Sequence, residues 1–258
     1  MGEAASGKQV VLVTGSAGAI GRFVCGELGS RGHQVRGFDR RPSPWVDDNR
    51  IGDLTDPQSM DAAMAGCDAV VHLAATPDED NFMEKLLPNN VVGLYHVCQV
   101  ALRHKVRRLV LTSSIQVTWG LDSYGKRPVR LDEGTAPVNH YALAKVWAEA
   151  MGEMYSRLYD MSIIVIRPGW LPRGKEMIDR IDRDQWHQCY YLSPGDAGRA
   201  FALAVEAENV RFAVIPAQSR GRKFDAMDLS SAKQVTGYEP RDTWPEGTDR
   251  LLDVPFAE

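Results

Sequence analysis

Apolar residues along the chain come in short runs, separated by longer stretches of helical periodicity. Residues 10–13 are apolar throughout, the pattern of a strand buried on both faces. Glycines at 15, 18 and 21 interrupt it, and Ile20, Phe23, Val24 and Leu28 then recur at helical spacing until Gly32. The alternation continues. Residues 34–39 read as a second strand, 41–49 as a proline-marked loop and 51–54 as a short third strand with its end. Asp56-Pro57 marks a helix start. Residues 69–75 form a fourth strand running into small residues, and 82–105 a long helix. Residues 108–114 form a fifth strand, 142–159 a helix and 162–166 a sixth strand. Further on, Asp196 is expected to cap a helix reaching Val205, residues 211–215 to form a strand and 230–236 a helix. This order predicts an α/β fold, a doubly wound parallel sheet with a small C-terminal substrate-binding portion. The expected division is 1–169 for the sheet domain and 170–258 for a small lobe interleaved with its last elements, the whole forming one unit.

The first turn carries the strongest chemical signal. A strand, three glycines and a helix start bring free backbone N–H groups and the positive end of a helix dipole together, where a pyrophosphate can sit. Gly15 permits the tight turn, Gly18 lets phosphate approach and Gly21 lets the helix pack against the strand. Ala17, Ala19 and Ile20 belong to the same cradle. Asp39 stands at the end of the second strand, 18 residues past Gly21. A carboxylate there accepts hydrogen bonds from ribose hydroxyls and repels a 2′-phosphate, which favours NAD over NADP. Arg40 and Arg41 follow directly and work against that discrimination.

Composition narrows the class. The chain has 258 residues, 44% hydrophobic and 25% charged, with a net charge of −4. The mild acidity gives no reason to expect nucleic acid or an anionic membrane as partner. No apolar run approaches the roughly 20 residues that span a bilayer. The polar first eight residues and the four widely spaced cysteines (Cys25, Cys67, Cys98, Cys189) predict a cytoplasmic protein with no zinc pattern.

The fifth strand ends in Thr112, Ser113 and Ser114, and Tyr141 and Lys145 lie four residues apart on one helix face. Taken in order, the chain carries Thr14-Gly15-x-x-Gly18-x-x-Gly21, Asp39, His72-Leu73-Ala74-Ala75, Ser113-Ser114, Tyr141-x-x-x-Lys145 and Arg167-Pro168-Gly169. Over about the first 170 residues this order resembles the extended short-chain dehydrogenase/reductase superfamily, the NAD-dependent epimerase/dehydratase family. The resemblance implies a Rossmann fold and a homodimer formed through the long helix. It implies that Asp53 and Leu54 contact adenine, that Leu73, Ala74 and Ala75 lie along the cofactor, and that Asn90, in an N-x-x-G element, ties neighbouring backbone. Thr112, Ser113 and Pro168 also fall at the implied cofactor site, and His72 reads as a structural histidine. Tyr141 is implied as general acid/base, with Lys145 lowering its pKa and binding the nicotinamide ribose. Ser114 is implied as the group that holds the reacting oxygen, with Ser113 as its fallback.

The substrate side rests on residues 116–140, with Trp119 and Tyr124, and on 170–194. In the second stretch Arg173, Arg180, Arg183 and aromatic residues suit a sugar and its acidic group. Interleaved Glu176, Asp179, Asp182 and Asp184 equally describe a solvated helix. Ser114, Gln116, Trp170, Arg180 and Arg183 are the candidate substrate residues. Too few residues follow Gly169 to enclose a nucleotide-linked sugar, so the expected substrate is compact. A further resemblance, to uronate dehydrogenases, rests on residues 90–95, the Ser-Ser strand end, the length and residues 237–240. It implies hydride transfer from C1 of a hexuronic acid to NAD, with Arg183 or Arg180 taking the carboxylate. Two departures stand against it: Ile115-Gln116 replaces Asn-His, and a hydroxyl residue is replaced near Pro77. The alternatives are an epimerase or dehydratase that releases no net NADH, and a non-catalytic NAD-binding regulator.

Overall fold

A computed structural model describes residues 7–122 and 128–252. Tyr124 lies outside the described residues. Seven strands form one sheet, all parallel, in the order β3-β2-β1-β4-β5-β6-β7. They are β1 (Val10–Thr14), β2 (Gln34–Asp39), β3 (Asp48–Ile51), β4 (Ala69–His72), β5 (Arg108–Thr112), β6 (Ser162–Pro168) and β7 (Phe212–Ala217). The helices are α1 (Gly21–Ser30), α2 (Pro57–Met64), α3 (Gly93–Arg103), the single turn α4 (Trp119–Asp122) and α5 (His140–Tyr159). There follow α6 (Lys175–Arg183), the short α7 (Gln185–Gln188), α8 (Pro194–Glu206) and α9 (Ser230–Thr236). No helix among the described residues is long and apolar enough to cross a membrane.

The central strands are apolar because both faces are covered. Leu12, Val70, Leu109, Leu111, Ile163 and Val165 face one core layer, which they share with α2, α3 and α5. Val11, Val13, Val71, Val110, Ile164 and Ile166 face the other, shared with α1 and α8. Strand order reverses between β1 and β4, and that reversal opens a crevice at the carboxyl edge of the sheet.

Several boundaries differ from the sequence reading. β3 begins at Asp48, inside the expected loop, and ends at Ile51. It is a polar edge strand: Arg36 on β2 bonds Asp48 at 2.8 Å, and Asn49 ties back to Ser43 at 2.8 and 3.0 Å. Its order comes from these ties, so no apolar run announces it. The long helix is two segments, a wide π-type helix at Phe82–Val92 followed by α3, with Pro88 inside the first. Proline has no N–H to give the preceding turn, so the turn opens. The cap of α8 is Ser193, whose Oγ accepts from Asp196 N at 2.9 Å. Asp196 is instead a buried hub. Its carboxylate accepts from Ser219 Oγ at 2.7 Å and from the backbone N–H groups of Arg241 and Asp242 at 2.9 and 3.1 Å, and it also pairs with Arg199. Close to the other end of this segment, Arg22 Nη2 donates to Arg250 O at 2.6 Å, joining it to α1. β6 runs on through Pro168, opposite Ala217 of β7, past residue 166, at which the strand was expected to end.

Two glycines make the first turn possible. Gly15 has φ of 73°, and a Cβ there would stand 2.7 Å from Ala74 N. A Cβ on Gly21 would stand 2.1 Å from Gly15 O. Gly21→Ala is therefore expected to destabilise the protein by about 1–3 kcal/mol, visible as a lower midpoint in thermal unfolding. An unchanged midpoint would show that α1 can shift to make room.

Candidate active site

The crevice above β1 and β4 collects most of the residues singled out in the sequence. Ala17, Gly18, Ala19 and Ile20 lie in the turn between β1 and α1, with Gly18 N donating to Gly15 O at 3.0 Å. Asp39 ends β2 beside that turn and accepts from Ala17 N at 3.1 Å. Its other carboxylate oxygen has no hydrogen-bond partner among the described residues. Arg41 reaches back to Ala17 O at 3.4 Å, while Arg40 lies near enough to Asp53 to help hold its carboxyl low.

Leu73, Ala74 and Ala75 follow β4 and pass across Gly15, with Leu73 N bonded to Thr14 O at 3.1 Å. Asn90 spans Thr76, accepting from its N–H at 2.8 Å and donating to its carbonyl at 2.9 Å. It ties backbone, as the resemblance implied. His72 is buried and bonded through Nδ1 to Thr14 Oγ1 at 2.8 Å. Burial, with the charge of Lys145 nearby, pulls its pKa down to about 3, so it is neutral and structural. Asp53 spends one oxygen on Thr55, whose N–H and hydroxyl approach at 2.8 and 2.7 Å. Those bonds hold its carboxyl below the ordinary range. Leu54 packs in the core, where a Cβ on Gly93 would lie 2.8 Å from its own Cβ.

β5 delivers the next group. Lys145 Nζ donates to Thr112 O at 2.9 Å and sits 5.5 Å from the centre of the Tyr141 ring. Ser114 lies close enough to the Tyr141 side chain to favour its ionisation, and it accepts from Gln116 N at 3.1 Å. Ser113 is not interchangeable with it. Its hydroxyl points into the core and donates to Glu149 Oε1 at 2.6 Å, so the fallback assignment to Ser113 fails on direction. Glu149, which the sequence reading missed, is also held by Arg167 through two bonds of 2.7 and 2.8 Å. Its signal was its place four residues past Lys145, on the same helix face.

The electrostatics depart from expectation. Tyr141 is pushed up to about 12 by burial first and by Asp78 second, while Ser114 and Arg173 pull the other way. The lowering expected from Lys145 is not what the chain provides. Lys145 is itself desolvated, and burial pulls it down to about 8.

On the substrate side, Gln116 Nε2 donates to Asp78 Oδ1 at 3.0 Å, and Gln116 Oε1 accepts from Asn139 Nδ2 at 3.0 Å. Arg173 pairs with the other oxygen of Asp78. Trp170 lies 6.0 Å edge-on from Trp119 and 4.8 Å from the His187 ring. Arg180 lies over Trp170, 5.5 Å from the ring centre, and Arg183 is exposed on α6. Arg173 is also the arginine whose charge acts on Tyr141. Asp78 was also missed. The sequence signal was only the substitution noted near Pro77.

The glycine cradle, the carboxylate at the end of β2 and a lysine one turn below a tyrosine fit a nicotinamide dinucleotide. Residues 11–225 match the NAD dependent epimerase/dehydratase family. An L-arabinose 1-dehydrogenase (NAD(P)(+)) of Haloferax volcanii is 29% identical over 248 residues, 90% of this chain and 96% of that protein. A uronate dehydrogenase of Pseudomonas syringae pv. tomato is 29% identical over 165 residues, 62% of this chain and 58% of that protein. In structure, a variant of uronate dehydrogenase from Agrobacterium tumefaciens complexed with NAD superposes with a TM-score of 0.76 at 24% identity, over 95% of this chain and 89% of the other. The chain belongs to the NAD dependent epimerase/dehydratase family, and NAD is its cofactor.

The buried ammonium of Lys145 has a folded pKa of about 8, below its ordinary 10.5. Unfolding therefore takes up a proton between about pH 8 and 10.5, and the wild-type fold gains stability as pH rises through that window. Lys145→Met is expected to raise stability at pH 7 by about 2–3 kcal/mol. The gain should shrink toward zero above pH 10.5. Denaturant midpoints at the two pH values measure it, and a gain that ignores pH would refute the buried-charge account.

Proposed function

We propose that the protein is an NAD-dependent sugar dehydrogenase that oxidises a ring hydroxyl, C1 of a cyclic aldose or hexuronic acid, to a lactone. The observation that carries this reading is Lys145 anchored to Thr112 O at the carboxyl end of β5, with the Tyr141 ring 5.5 Å from its ammonium and Ser114 beside the phenol. Among the relatives, the arabinose dehydrogenase spans nearly the whole chain and supports a compact sugar substrate.

Each side chain has a task. The turn at Gly15, Gly18 and Gly21 would hold the pyrophosphate and Asp39 the adenosine ribose. Lys145 would hold the nicotinamide ribose, and Ala74, Ala75 and Pro168 would line the ring's approach. NAD, when bound, supplies the hydride acceptor and a positive ring beside the phenol. Tyr141 takes the hydroxyl proton as base, and Ser114 orients the reacting oxygen. Tyr141 starts too high to ionise on the chain's own residues, so its activation depends on that added positive charge. Gln116 and Trp170 would line the sugar side, next to the small lobe expected after residue 169.

Tyr141→Phe keeps the ring and removes the proton acceptor. Net NADH formation from sugars should fall by about 10²–10⁴-fold, with NAD affinity by calorimetry changed little. Full activity in the variant would refute the base. Sugar turnover without NADH accumulation would point to epimerisation.

The reading includes a cytoplasmic homodimer. The four cysteines, Cys25, Cys67, Cys98 and Cys189, are buried and form no disulfide among the described residues. Leu143, Trp147, Met154 and Leu158 expose an apolar stripe on α5, and Val92 and Tyr95 expose apolar surface on the neighbouring long-helix segments. A second copy packed on this stripe would cover it. Light scattering should give twice the chain mass, and Trp147→Glu should give the monomer mass. A monomeric wild type would remove the dimer.

A further inference from the structure

Beyond the tyrosine, three elements meet through one polar cluster. Asp78 follows β4, Gln116 follows β5, and Arg173 precedes α6. Asp78 uses one oxygen for Gln116 at 3.0 Å and the other for Arg173. Gln116 is in turn held by Asn139, which caps α5 by accepting from Ala142 N at 2.7 Å. The cluster is thus fixed relative to Tyr141. It is also reachable, since the side chains of Asp78 and Arg173 are 49% and 31% exposed. Asp78 and Arg173 act on the Tyr141 hydroxyl in opposite directions, which puts both within electrostatic reach of the reacting oxygen.

We propose that this cluster admits an uncharged sugar ring and that Asp78 is the residue that excludes anionic sugars. The inference rests on the sugar-dehydrogenase reading and names its substrate class. Arg173 is the cation of the cluster, and Asp78 already matches its charge. A substrate carboxylate or phosphate reaching for Arg173 must displace Asp78 and then lie beside it, a like-charge contact. Hydroxyl groups face no such conflict. A carboxylate has about four acceptor positions, so Asp78 can accept from sugar hydroxyls while keeping Gln116 and Arg173. The arginines of α6 do not restore an anion site. Arg180 is spent over Trp170, and Glu176, Asp179 and Asp182 interleave on the same short helix.

The backbone of Asp78 is left-handed, with φ of 60°. Asparagine adopts that conformation readily, so Asp78→Asn removes the charge and keeps the turn. The test is kcat/KM by NADH formation for D-glucose, D-galactose, D-glucuronate, D-galacturonate and D-glucose 6-phosphate, with the full-length wild type and Asp78→Asn. The wild type should prefer each neutral sugar to its acid and to its phosphate by about tenfold or more, the factor that a difference of 1.4 kcal/mol sets. In Asp78→Asn the ratio should narrow by about tenfold, mainly through a lower KM for the acids. A wild type that prefers the uronates or the phosphate overturns the proposal while leaving the dehydrogenase reading intact. A ratio unchanged in Asp78→Asn removes Asp78 from the discrimination and overturns it as well. NADH from none of the five sugars would defeat the sugar-dehydrogenase reading, and the proposal with it.

Discussion

One face of α5 is clamped to the ends of two strands, and the site depends on that clamp. Tyr141, Lys145 and Glu149 recur every four residues, so they point the same way. Tyr141 meets Ser114, Lys145 meets Thr112, and Glu149 meets Ser113 together with Arg167. The last contact is a buried ion pair, with 4% of the Arg167 side chain and 10% of Glu149 exposed. Breaking such a buried pair from one side costs about 3–5 kcal/mol, because the surviving charge has no solvent to turn to. The pair fixes the rotation of α5 about its axis and its height along β5 and β6. A phenol at the end of a helix is then as well positioned as a residue in the sheet.

That positioning comes with electrostatic resistance. Burial and Asp78 keep the phenol protonated, and burial makes the neighbouring ammonium easier to deprotonate. Both groups thus lean away from their charged forms on the chain's own residues. Positive charge arriving with NAD favours the phenolate, and the ribose hydroxyls give the ammonium new partners. In the proposed reading, proton abstraction by Tyr141 would thereby depend on cofactor occupancy.

What the sequence made legible was local. Gly15 and Gly21 are dictated by backbone clashes within one turn, and Tyr141 and Lys145 by helix geometry, so residue type and spacing suffice. Ser113 and Ser114 were ambiguous because adjacent strand residues point to opposite sides, and one residue of register decides which faces the crevice. The edge strand β3 was misplaced because ion pairs and an asparagine hold it, with no apolar alternation to reveal it. The clusters Asp78–Gln116–Arg173 and Glu149–Arg167 join residues far apart in the chain, and no local pattern encodes such partners. Arg180 and Arg183 drew attention through charge density alone. In the fold the aromatic ring of Trp170 takes the first, and the second faces outward.

Asp196 carries a consequence for how the molecule is made. Its carboxylate sits at the start of α8, yet two of its donors are the amides of Arg241 and Asp242. During synthesis the sheet can be laid down strand by strand from the N-terminus. The anion nevertheless lacks those partners until residues 241 and 242 emerge. That segment also reaches the first helix through Arg22 and Arg250. The stretch from Arg241 to Arg250 is the clasp that closes on the first helix, so a nascent chain stopped short of it would leave a desolvated charge exposed to rearrangement.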